Sequence, residues 1–387
     1  MAFLSNDLIN RVNLHSAVQS AAIAGGQTFF LVVLLRAGLS VPAALLTVAG
    51  VLAGRFLLRP AMLPLAKLWG LQPLLIVGTV LAGIQYPILA MVDGVGPALI
   101  ALCLTAALGD LVYWPTYHAY FASIGDPEHR GHQISAREAI VSVVGIGAPL
   151  AAAWSILTLG TMTTFVVIGA IQVLSALPLI GAPNVRIKAQ APGAIRASRL
   201  GALLDASYGW LAACFMFTWQ IALFLSLGSN LGAYGGAMAL AALVGALSGL
   251  VLGRNIDMGH GRRAVTIAYG AAAALVLLRV FSFGTPWLAV LANALGSIVL
   301  SLMAPALGTP IYNLSKASPC PMRFSIATEA GYDVGCFAGC VMAAGIAWAG
   351  LPLWIAVLMT LPALAASTWL LRRYYADNPT IEAALKA

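Results

Sequence analysis

Residues 286–308 read PWLAVLANALGSIVLSLMAPALG, a run without a single charged side chain. Wound as an α-helix at 1.5 Å per residue, it is about 34 Å long, enough to cross hydrocarbon about 30 Å thick. The apolar positions are continuous rather than alternating, which excludes a membrane β-barrel. Working outward, the same reading recurs at 14–36, 40–60, 73–92, 96–121, 134–157 and 162–181. After a polar stretch it recurs at 208–228, 232–253, 264–283, 326–348 and 352–371. With 286–308 that makes twelve expected transmembrane helices, an all-α polytopic membrane protein.

Composition agrees. The 387 residues are 61% hydrophobic and 8% charged, with a mean hydropathy of +0.94. Soluble domains carry about 25% charged residues, so most of this surface faces lipid. The first run is too long for a signal-peptide core and is read as a retained span. Cys103, Cys214, Cys320, Cys336 and Cys340 form no disulfide framework, and reduced thiols are expected.

Orientation follows from the basic residues. With the N-terminus in the cytoplasm, sixteen of the twenty Lys and Arg fall at or beside the inner face, and only Arg36 lies in an outer loop. That distribution satisfies the positive-inside rule. The expected location is the plasma (inner) membrane with both termini cytoplasmic. The pI near 9.4 then reports topology and contact with the lipid bilayer, not nucleic acid.

The one long polar connection, 182–205, separates a half at 1–181 from a half at 206–387. Pro115-x-Tyr117 is matched by Pro310-x-Tyr312, Arg130 by Arg323, and Glu138-Ala139 by Glu329-Ala330. These matches occur in order at an offset near half the chain, the pattern of a duplicated six-helix unit.

The loop after the eighth span reads Gly253-Arg-Asn-Ile-Asp257-Met-Gly-His-Gly261-Arg262-Arg263. It resembles the G-x-x-x-D-R-x-G-R-R loop of the major facilitator superfamily, with Met258 in place of the first basic residue and the Gly-Arg-Arg one position late. In the first half the same place reads Pro64-Leu-Ala-Lys67-Leu-Trp-Gly70, without the terminal basic pair. Gly145-Ile-Gly-Ala148-Pro149 resembles a degraded fifth-helix G-P motif. The resemblance implies two pseudo-symmetric six-helix bundles around a cavity lined by helices one, four, seven and ten. A gating latch is expected at that loop, with Asp257, Arg262 and Arg263 taking part; Glu138 and Glu329, near the inner face, read as its carboxylate partners, with proton carrying as the alternative.

Ionisable groups inside a span are costly and mark pathways or relays. Asp110, Tyr113, Trp114 and Tyr117 follow at i, i+3, i+4 and i+7, one face of the fourth span. With Gln19 and Gln27 in the first span, Trp219 and Gln220 in the seventh, and Asn293 and Ser297 in the tenth, they are the expected substrate pathway. Asp110 and Asp333 are the expected proton-coupling carboxylates. Arg55 and Arg59, one turn apart in the second span, lie where snorkelling to headgroups is easy; an anion-attracting role at the inner mouth is the functional alternative. Cys336-x-x-x-Cys340-x-Met342 reads as small-residue packing, and the histidines of the 125–133 loop lack further ligands, so no metal and no cofactor are expected.

No Walker-type G-x-x-x-x-G-K-S/T run occurs, which argues against ATP as the energy source. The expected function is secondary active transport of a small-molecule solute by alternating access, proton-coupled, in a functional monomer and without enzymatic chemistry. A membrane-embedded enzyme or a non-transporting sensor on a transporter-like fold are the alternatives.

Overall fold

The structure is a computed structural model that describes residues 7–124, 130–188, 190–253 and 261–377. Among the described residues there are helices and connections but no strands. Twelve long helices follow one another. In the first half they are α1 (Asn10–Arg36), α2 (Val41–Trp69), α3 (Leu71–Ala90), α4 (Pro97–Ile124), α5 (Arg130–Thr158) and α6 (Thr161–Leu179). In the second they are α7 (Arg199–Ser226), α8 (Leu231–Gly253), α9 (Gly261–Ser282), α10 (Pro286–Ala317), α11 (Pro321–Trp348) and α12 (Leu353–Ala376). Eleven of them meet span criteria along their described length, and α5 contributes a shorter apolar stretch, Val143–Thr158. The chain is a multi-pass membrane protein. The end of the bundle at which α1 begins is called the N face below, and the opposite end the distal face.

The packing is a repeat. In the first half α3 packs on α4 and α6, α1 on α5 and α6, and α2 on α4. Adding six to each number gives the contacts of the second half: α9 on α10 and α12, α7 on α11 and α12, α8 on α10. Two further contacts, α2 with α11 and α5 with α8, join the halves and exchange under the same operation.

Small residues set the crossings, since helices in lipid associate by close packing. A Cβ at Gly335 or Gly331 on α11 would overlap the carbonyl oxygens of Ala206 or Ala202 on α7. A Cβ at Gly109 on α4 would come within 2.8 Å of the Ala82 backbone on α3.

Several helices run past the hydropathy reading, α2 to Trp69 among them, and two of these extensions matter most here. α10 runs on to Ala317 through Pro305 and Pro310, where the apolar run stops at 308. Proline inside a membrane helix is tolerated because neighbouring groups re-satisfy the freed carbonyls. α7 begins at Arg199, so Asp205 belongs to the helix and not to the polar connection. Gly201 lets that first turn seat against Phe324 and Thr328 of α11. Cys320 is not in an open loop either: it caps α11 and is buried.

Candidate functional site

Arg55 and Arg59 share one face of α2, and Glu329 and Asp333 share one face of α11, each pair separated by a single turn. The helices cross so that these faces meet across the boundary between halves. Arg55 Nη2 donates to Glu329 Oε2 at 2.9 Å. Arg55 Nε lies 3.0 Å from Asp333 Oδ1, an ion contact without hydrogen-bond alignment. Arg59 Nε donates to Asp333 Oδ2 at 3.0 Å, and Arg59 Nη2 donates to the same oxygen. From α4, Asp110 Oδ2 approaches Arg55 Nη1 at 3.6 Å, and the Tyr332 ring lies 5.8 Å from the Arg55 guanidinium carbon. The snorkelling reading of the two arginines fails: both are buried, pointing into the protein rather than to headgroups.

The cluster holds two guanidinium ions and three carboxylates, one negative charge in excess if all are ionised. His118, one turn from Trp114 on α4, is half-exposed and places Nε2 3.7 Å from Glu329 Oε1. Buried charge is expensive unless paired and hydrogen-bonded; Asp333 is fully buried, whereas Asp110 and Glu329 keep some exposure.

Beside the cluster, α1, α3, α4 and α6 enclose a polar cavity of about 10 Å³, room for one water molecule. Gln19, Gln27, Asp110, Tyr113 and Trp114 line it, and Gln85 and Gln172 complete it. Both amide atoms of Gln172 are buried without a protein partner. The Tyr113 hydroxyl donates to Gln19 Oε1 and lies 2.9 Å from His15 Nε2, while His15 Nδ1 donates to the Ser175 carbonyl at 2.7 Å. Tyr117 turns aside to Ser16 at 3.0 Å. Asp110 therefore faces both the cavity and the ionic cluster.

The remaining expected pathway residues lie elsewhere. Trp219 Nε1 donates to Asn293 Oδ1 at 3.1 Å, and the Asn293 amide donates to the Ala237 carbonyl at 3.2 Å, a buried knot inside the second half. Ser297 sits beside Gly245 on α8, and Gln220 is half-buried on α7. Arg262 and Arg263 are exposed at the N-face end of α9 and take no part in the ionic cluster. Asp257 and the side chain of Glu138 lie outside the described residues.

Two participants escaped the sequence reading. His15 could have been found as a lone imidazole one turn before Gln19 in an apolar span. Arg279, near the distal end of α9, is buried with its guanidinium carbon 4.0 Å from the Phe215 ring centroid and 4.5 Å from that of Trp219. It donates to the Phe215 carbonyl, which a π-helical turn at Ala212–Phe217 leaves available.

Contacts between the halves occur at both faces. Toward the distal face the Tyr234 hydroxyl donates to the Thr28 carbonyl at 3.0 Å, and its ring meets Phe29 edge-on at 5.5 Å. At the N face Met322 and Cys320 pack with Val12, Met62 and Leu71.

No family model matches the sequence, and no curated protein does. Solved structures do match in fold. The human organic anion transporter MFSD10 superposes with a TM-score of 0.69 at 16% identity, over 94% of this chain and 99% of that one. A bacterial homologue of the iron transporter ferroportin in its outward-facing state gives 0.66 at 15% identity, over 95% and 99%. The nucleoside transporter NupG gives 0.66 at 12%, over 96% and 99%. The chain has the major facilitator transporter fold. In this fold the ionic cluster bridges the N-terminal and C-terminal bundles between the midplane and the N face.

Proposed function

We propose that the protein is a proton-coupled secondary transporter that moves a small solute by alternating access, with its N face in the cytoplasm. The observation that carries this reading is the buried cluster joining α2 and α11 with one carboxylate in excess. Rocking the halves apart at the N face must separate Arg55 and Arg59 from Glu329 and Asp333, so the cluster favours the N-face-closed state. Arg55 and Asp110 both belong to the first half and stay together through that motion.

The surplus charge supplies the coupling. In the closed state one carboxylate is neutralised by a proton. Opening hydrates the cluster and releases it, with half-exposed His118 beside Glu329 as the route to water. Asp110 connects this event to the solute, because a ligand in the adjoining cavity competes with Arg55 for its oxygens. That cavity must widen to admit anything larger than water, as alternating access requires. Two of the similar structures are an organic anion transporter and a nucleoside transporter, and a third is a homologue of an iron transporter; the polar, amide-rich cavity suits a small polar solute.

A thermal-shift screen on purified protein identifies a solute, which is then followed in proteoliposomes under a pH gradient. Asp110→Asn, a permanently uncharged mimic, should abolish uphill accumulation while leaving solute exchange. Accumulation with unchanged pH dependence in that variant would show that Asp110 is not a coupling residue.

A further inference from the structure

Outside the cluster, a groove of about 820 Å³ runs between α9 and α12 on the outer surface of the second half. Its walls are Gly270 and Ala273 of α9 against Leu361, Leu364 and Ala365 of α12. The helices are antiparallel, so Arg262 at the start of α9 and Arg372 and Arg373 at the end of α12 meet at the N-face end. All three arginines line the groove and are exposed. Arg373 lies over the Trp369 ring at 5.7 Å, and no acidic residue lines the groove among the described residues.

We propose that this groove is a binding site for one anionic phospholipid of the leaflet at the N face. Two features together specify the occupant. From Arg262 to Ala273 the groove descends about 16 Å at 1.5 Å per residue, the depth of one leaflet of hydrocarbon about 30 Å thick. That depth fits an acyl chain, and the three guanidinium groups at its mouth stand at headgroup level, where basic pockets between helices hold anionic headgroups. The floor is open at Gly270, where a Cβ would meet nothing within 4 Å. Trp369, exposed beside the arginines, is placed as an interfacial anchor. Loop arginines obeying the positive-inside rule would give the charge alone; the apolar channel beneath them gives the ligand its shape.

The test is native mass spectrometry of the full-length protein in detergent, with palmitoyl-oleoyl phosphatidylglycerol or the matching phosphatidylcholine added at equal concentration. One phosphatidylglycerol should remain bound under activation that strips phosphatidylcholine, with at least tenfold tighter apparent binding. The triple variant R262Q/R372Q/R373Q should fall to the phosphatidylcholine level. Gly270→Leu, which leaves every charge in place and fills the floor, should also weaken retention about tenfold. Excess inorganic phosphate should not displace the lipid. Equal retention of the two lipids, a triple variant that keeps its preference, or unchanged binding in Gly270→Leu would each overturn the site. Displacement by phosphate would make it a free-anion site. A lipid-independent dimer abolished by Gly270→Leu would make the groove an interface between copies. If the triple variant does not fold, the lipid comparison, the phosphate competition and Gly270→Leu still decide.

Discussion

Asp333→Asn isolates the ionic cluster from the rest of the fold. The Asp333 side chain is fully buried, and it is the only carboxylate in ion-pair range of Arg59 among the described residues, whereas Arg55 keeps Glu329 and Asp110. The substitution keeps volume and removes one charge, leaving Arg59 uncompensated in a buried site. Removing one partner of such a pair costs about 3–5 kcal/mol. If the pair exists only with the N face closed, that cost falls on the closed state and shifts the open-to-closed ratio by roughly two to three and a half powers of ten at 1.4 kcal/mol per decade. Cys320, buried at the N face beside Met322, is a built-in reporter. In a background with the other four cysteines replaced by alanine, its labelling by a water-soluble maleimide should rise at least a hundredfold. Adding Arg59→Gln should restore much of the protection, since it removes the arginine that Asp333→Asn leaves without a carboxylate. A parallel background retaining only Cys214, fully buried in the second half, should stay protected and so rule out general unfolding. Unchanged Cys320 labelling in folded Asp333→Asn protein, or a double variant as reactive as the single, would refute a gating role for the cluster.

Other consequences are equally direct. Gly335→Leu should destabilise the protein by about 1–3 kcal/mol through overpacking, read as a lower melting temperature, because its side chain would collide with the Ala206 carbonyl across α7 and α11. Tyr113→Phe should cost about 1–3 kcal/mol by leaving Gln19 Oε1 without its donor and removing the hydroxyl beside His15. It should also weaken binding of the solute found in the screen, by calorimetry. A cysteine at exposed Arg196, in the connection between halves, should react with an impermeant reagent only when the cytoplasmic side is accessible. Labelling from outside intact cells would invert the proposed orientation.

The twelve helices and their two-fold repeat were legible because lipid imposes one rule on every span: about twenty apolar residues with all backbone bonds internal. The stripe on α4 was legible from spacing alone, and three of its members, Asp110, Tyr113 and Trp114, do share the cavity with Gln19 and Gln27. Which charges meet was not legible. Arg55 and Glu329 stand 274 residues apart, and each residue taken singly has a local explanation: snorkelling for the arginines, an inner-face latch for Glu329 and proton coupling for Asp333. Only the crossing of α2 on α11 brings the two i, i+4 pairs face to face. His15 was hidden for the same reason, its partners lying 98 and 160 residues away. The prolonged α10 was hidden because Pro310 reads as a stop in water and is tolerated between packed membrane helices.

The repeat makes one asymmetry informative. The contacts α2–α11 and α5–α8 are exchanged by the pseudo-two-fold, yet among the described residues their chemistry differs. The first carries Arg55, Arg59, Glu329 and Asp333. In the described part of the second, Gly145 faces Ala242, and Gly235 sits so close to Ala153 that a Cβ would come within 2.6 Å of its side chain. Such glycine–alanine contacts are not discrete pairs and can slide by small amounts at little cost. An ionic seam has two well-separated conditions, paired and parted, and little between them. On the proposed alternating-access reading, the halves would turn on the α5–α8 seam and switch on the α2–α11 seam. On that reading, charge placed on both seams would give two locks with no hinge, and charge on neither would leave nothing for a proton to act upon.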